Sequence, residues 1–207
     1  MLHTTLALLR RFDACGQSTP DGSYNKLRAS LPAELTDDAP IALLHILESN
    51  GIMDAIWALR ATVEPTSKGM ARELACRAAE RVLPLFEKHQ PGDNRPREYI
   101  EAARAYDRGE ITLGQLREKR AVVVAATATA AAAAYYATAT TAAAAYYAVA
   151  AVVVVAAAVV GVGDDAPAAA YYASATYAAA AYADAGAARK AELEAQAADY
   201  RELLLQH

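Results

Sequence analysis

The chain has 207 residues and a mild net charge of −4, from 20 basic against 24 acidic side chains. That length can bury a core and points to one domain, or one domain with an appendage, while the charge argues against DNA or RNA as the main partner. The two cysteines, Cys15 and Cys76, lie far apart, fit no metal or redox spacing, and read as buried free thiols in a reducing compartment.

At the N-terminus, Arg10 and Arg11 follow the apolar run of MLHTTLALLRRFDAC instead of preceding it. No small-residue cleavage site appears, so the reading is against a signal peptide. Thr4 to Ala14 is predicted as a short amphipathic helix, with Gly16 as its stop. A weaker helix is expected around Tyr24 to Ser30. Asp38 is suited to cap a third helix with Pro40 in its first turn, carrying Ile41, Leu44, Ile46 and Leu47 inward. Asn50-Gly51 ends it, and a fourth helix starts at once with Ile52, Ala55, Ile56 and Leu59 at helical spacing.

A longer helix is predicted over Lys68 to His89, with a stripe of Leu74, Ala78, Val82 and Leu85 and a kink at Pro84. PGDN, Pro91 to Asn94, is a turn. Asn94 is placed to cap the next helix, which has Pro96 near its start and Gly109 beyond its end. Thr112-Leu-Gly-Gln115 has capping-box spacing and opens another helix, which nothing breaks before Gly161. Such a helix would be about 70 Å long. GVGDDAP supplies a turn, and a last helix runs to about Leu204, with Leu193, Ala197, Tyr200 and Leu204 on one face. Two long helices joined by a short turn lie antiparallel. The predicted fold is therefore all-α: a helical cap over residues 1–111, then a long antiparallel alanine-rich helical hairpin over 112–207.

Composition changes abruptly at Arg120. Residues 121–163 contain only Ala, Val, Thr, Tyr and Gly, and within them TATAAAAAYYA is followed directly by TATTAAAAYYA. Eleven residues in three turns is about 3.67 per turn, close to a straight helix, so this hendecad repeat keeps Thr129, Tyr136, Thr140 and Tyr147 on one face. The small residues between them allow close helix packing, and these four are the predicted packing and assembly positions. An uncharged helix of this length needs covering, which makes a homo-oligomer plausible. Two other readings are weaker. A membrane hairpin would use the uncharged run, but that run lacks Leu, Ile, Phe, Met and Trp, and its Tyr pairs sit mid-segment. An ice-facing surface would rest on Thr127 and Thr138 alone.

No enzyme signature emerges, and neither a metal site nor a cofactor is predicted. Gly161-Val-Gly163-Asp-Asp-Ala166 matches the loose GxGxxA form, but no βαβ unit surrounds it and Asp164 and Asp165 stand where a pyrophosphate would need positive charge. His3, His45, His89 and His207 are scattered. Glu73, Glu80 and Glu101 are expected to be solvated or paired with Arg77, Arg81 and Arg104.

The segment ACRAAERVLPLFEKHQPGDNRPREYIEAARAY, Ala75 to Tyr106, carries more. It resembles the putative immunity protein family found beside polymorphic toxins and in phage and actinobacterial genomes. In that family an AERVLPLFE-like helix end is followed by a PGDDRPR-like turn, an IEAAR helix and a GEIT-like restart. A WALR-like helix often lies upstream, matched here by Trp57-Ala-Leu-Arg60, and an alanine-rich tail follows. The motifs cover residues 40–120. The tail departs from the family by using Thr, Tyr and Val where relatives interleave Asp, Arg, Trp or Ser.

The resemblance implies a non-enzymatic protein that neutralises a toxin or defence component by binding it, in a bacterial cytoplasm and either bacterial or phage-encoded. Trp57, Arg60, Asp93, Arg95 and Arg97 are the candidate partner-binding residues. Read as residues, Asp93, Arg95 and Arg97 crowd a helix start, where they can equally clamp the preceding helix, and Trp57 can equally be core. A sponge sequestering a small nucleotide signal and a membrane-associated hairpin are the alternative functions.

Overall fold

The computed structural model describes residues 2–19, 22–64, 67–123 and 187–206. These are mostly helical, with one two-stranded sheet. The repeat, its residues Thr129, Tyr136, Thr140 and Tyr147, and the GVGDDAP turn all lie outside the described residues. So does the hairpin arrangement they were expected to form. Among the described residues, no helix is long and apolar enough to cross a membrane.

The chain opens with strand β1 (His3–Thr4), antiparallel to β2 (Ile41–Ala42) in the register His3 opposite Ala42 and Thr4 opposite Ile41. This pairing corrects two expectations. Helix α1 spans only Leu6–Arg11, because Thr4 belongs to the strand and Thr5 is the N-cap, its hydroxyl accepting from the Leu8 amide at 3.1 Å. Helix α3 (Leu43–Asn50) begins beyond Ile41 and is not capped by Asp38, because the Leu43 amide donates to the Leu2 carbonyl next to the strand pair. Thr4 is fully buried and donates its hydroxyl to the Ala61 carbonyl, so the N-terminus stitches two distant segments together.

Helix α2 covers Ser23–Ser30. Asn25 donates its side-chain amide to the carbonyls of Gly16 and Thr19 and holds the preceding loop against it. Helices α3 and α4 (Ile52–Ala58) pack against each other across Gly51, which caps both at φ 97°. A 3-10 turn, Leu59–Ala61, leads out of α4.

Helix α5 runs Ser67–His89 with Pro84 inside it, and packs against α6 (Arg95–Asp107). At the start of α6, Asn94 holds the expected N-cap position, but its side chain makes no capping bond. The Asp93 carboxylate accepts from the Arg95 amide at 3.1 Å. Helix α7 (113–123) opens on the predicted capping box: the Thr112 amide donates to Gln115 Oε1 at 2.8 Å, and the Gln115 amide donates to Thr112 Oγ1 at 3.3 Å.

The last helix, α8 (Ala187–Gln206), buries Tyr200, Leu203 and Leu204 in one cluster with Leu2, Leu6, Leu43, Ile56, Leu59 and Met70. Leu193 and Ala197 pack on the edge of the same cluster, as the predicted face requires. Each fully buried leucine contributes about 1.5–3 kcal/mol. The C-terminal helix therefore closes a core begun by the second residue.

Candidate functional site

Arginine–carboxylate pairs link α5, α6 and α8. Arg104 on α6 donates to Glu73 and Glu80 on α5, with its Nε 2.9 Å from Glu73 and its Nη1 2.5 Å from Glu80. Glu73 in turn accepts from Arg77 one helical turn on. Arg77 reaches Asp199 and Glu202 on α8, and Arg81 also reaches Asp199. The bonds from Glu80 and Glu73 hold the Arg104 guanidinium well above its ordinary range. Arg104 in turn draws the Glu80 carboxyl below its own. The expected pairing of Glu73, Glu80 and Glu101 with arginines is observed and fastens α5 to α6, while Arg77 and Arg81 fasten α5 to α8.

The predicted site residues fall into two groups. Asp93, Arg95 and Arg97 stand at the α5–α6 corner. Arg95 forms a two-point pair with Asp93, its Nε at 2.8 Å and its Nη2 at 2.6 Å, and this bond draws the Asp93 carboxyl down. Arg97 reaches back to Glu87 on the preceding helix at 2.7 Å, the clamp that the residue types suggested. Both arginines also face open grooves beside α7: Arg95 with Tyr99 and Lys119 in one of about 230 Å³, Arg97 with Glu101 and Arg108 in one of about 640 Å³.

Trp57 and Arg60 form the second group. The Arg60 guanidinium lies 5.2 Å from the centroid of the indole, within cation–π range. No hydrogen bond, ion pair or ring contact joins this pair to Asp93, Arg95 or Arg97. Trp57 is only partly buried, because one side of it walls a cleft of about 110 Å³ between α1, α2, α3 and α4. Leu9, Leu27 and Ile46 supply apolar wall, and Tyr24, Asn50 and Asp54 supply polar groups. Asn50 donates its amide both to the Ser23 carbonyl at 2.7 Å and to Asp54 at 2.8 Å, fixing that carboxylate.

Sequence reasoning found Trp57 but missed Tyr24, Asn50 and Asp54. The i, i+4 spacing of Asn50 and Asp54 around Gly51 was the available signal. Cys15 also lines the cleft and is exposed, which corrects its reading as a buried thiol. Cys76 is buried as expected, and burial pushes its thiol up to about 12, leaving it protonated and inert near neutrality. His45 shares a 2.9 Å hydrogen bond with Ser30. Among the described residues, no group of three or more His, Cys, Asp or Glu side chains could hold a metal ion.

The model of the Imm-5 like putative immunity protein family matches residues 61–203, a span that includes Asp93, Arg95, Arg97 and the Arg104 hub. Comparison with curated proteins and with solved structures found no match. The family model spans more than half of the sequence, from the 3-10 turn to the buried end of α8, and the chain belongs to the Imm-5 like putative immunity protein family.

Proposed function

We propose that the protein is an immunity-type binder that neutralises a toxin or defence component by masking its surface, without catalysis. The observation that carries this reading is the family match over residues 61–203. The structure supports it by the division of labour among charged groups. The arginines of the α5–α6–α8 seam are occupied with internal carboxylates, which gives a braced scaffold. Of the partner-facing candidates, Trp57 on one side and Arg95 and Arg97 on another border open clefts where a second protein can dock, with Arg60 stacked on Trp57 and Asp93 paired to Arg95.

The test places the product of the adjacent gene under an inducible promoter in host cells, with and without this protein. Growth should be restored in proportion to the amount of protein supplied, and the two products should elute together on sizing. Rescue at a small fraction of the toxin's abundance would overturn the non-catalytic reading. Failure of both rescue and co-elution would overturn the assignment of that neighbour as target.

A further inference from the structure

The cleft walled by Trp57 and Asp54 has a chemistry of its own. Its walls include Leu9, Leu27 and Ile46, which are almost entirely buried and come from three different helices. A volume of about 110 Å³ is well under the roughly 300–1,000 Å³ of a pocket for a drug-sized ligand, and suits a single side chain.

One carboxylate enters this apolar wall. Asp54 sits in the first turn of α4, where the helix end favours negative charge, and Asn50 orients it. No cation among the described residues pairs with it. Arg10 and Arg60 are engaged elsewhere. Arg10 donates to the Tyr24 hydroxyl and pairs with Asp37, and Arg60 lies over the indole. The carboxylate and the aromatic wall suit the cation of a long basic side chain, and the aliphatic floor suits its methylene stem.

We propose that the cleft between α1, α2, α3 and α4 is a socket for one lysine or arginine side chain of the protein that this chain neutralises. The assignment of a protein partner rests on the immunity-type reading above; the preference for a basic side chain rests on the cleft alone. A hot-spot anchor seated in a partly desolvated pocket is the usual way a small interface gains specificity.

Trp57 is the single tryptophan of the chain, so its fluorescence reports on the cleft directly. The full chain is titrated with n-butylammonium and n-propylguanidinium, as lysine and arginine side chains, and with n-butanol and butyrate as neutral and anionic controls. Saturable quenching or shift is expected for the two cations, with affinity about two- to fivefold above n-butanol, the range of a partly exposed ion pair. Asp54→Asn keeps an acceptor for Asn50 and should abolish the preference while leaving n-butanol unchanged. Alkylating exposed Cys15 with N-ethylmaleimide should block all four ligands without touching the core. No saturable response, equal affinity for cation and alcohol, or a preference that survives Asp54→Asn would each overturn the proposal. Growth rescue by Asp54→Asn is read in parallel. Wild-type rescue without cation binding removes the socket and keeps the immunity reading; cation binding without wild-type rescue or co-elution keeps the socket and removes that neighbour as target.

Discussion

The Tyr200 hydroxyl donates a 2.8 Å hydrogen bond to the main-chain carbonyl of Ala55, across a sequence separation of 145 residues. Both partners are fully buried, and burial raises the phenol well above its ordinary range, so it stays a neutral donor. The bond falls inside α4, two residues before Trp57, and so couples the C-terminal helix to the wall of the candidate socket.

Tyr200→Phe should therefore cost about 1–2 kcal/mol, because it strips a partner from a buried carbonyl while leaving the ring in place. Tyr200→Ala should cost about 3–5 kcal/mol by adding a cavity. Denaturant midpoints read both values. An unchanged midpoint for Tyr200→Phe would show that the hydroxyl contributes nothing.

Arg104 offers a pH-dependent test. Its bonds draw Glu80 below the ordinary value of 4.5, so their contribution is fully present above about pH 4.5 and is lost as pH falls through the lower folded value. Arg104→Met should destabilise by about 1–2 kcal/mol at neutral pH, a figure kept small because Glu80 is partly exposed. The gap between variant and wild type should shrink as pH drops below 4.5. A gap constant from pH 7 to pH 3 would contradict the assignment.

Gly51 stands at φ 97°, ψ 176°, a region open essentially to glycine alone, although an added Cβ would meet nothing within 4 Å. Gly51→Ala should thus cost about 1–3 kcal/mol through backbone strain and not through collision. Thermal unfolding is the measurement, and no change would mean that the α3–α4 corner relaxes freely.

The cysteines should react at different rates. Cys15 is exposed at the cleft, whereas Cys76 is buried with its thiol pushed up to about 12. A thiol reagent at neutral pH should titrate one group promptly and the second only after unfolding. Prompt reaction of both would place Cys76 at the surface.

The local rules of the chain were legible in residue order. The Thr112–Gln115 box, the Gly109 stop and the start of α5 at Ser67, one residue before the predicted Lys68, all depend on groups within a turn of one another. The inward face of α8 was legible too, since Leu193, Ala197, Tyr200 and Leu204 repeat at helical spacing. The failures share one cause. Asp38 and Asn94 carry good capping side chains, but the strand pair took the residues after Asp38, and at the N-cap Asn94 it is the Asp93 side chain that reaches the Arg95 amide.

By itself, then, the sequence determined the family and, among the described residues, the helices and most of their ends, because spacing, caps and motifs are properties of neighbouring residues. Only the tertiary structure decided that Thr4 joins Ala61, that Arg77 and Arg81 meet Asp199, and that Asp54 stands beside Trp57 with no cation among the described residues to pair with it. Those relationships follow from which apolar faces are buried together, and burial is settled by the whole packed core.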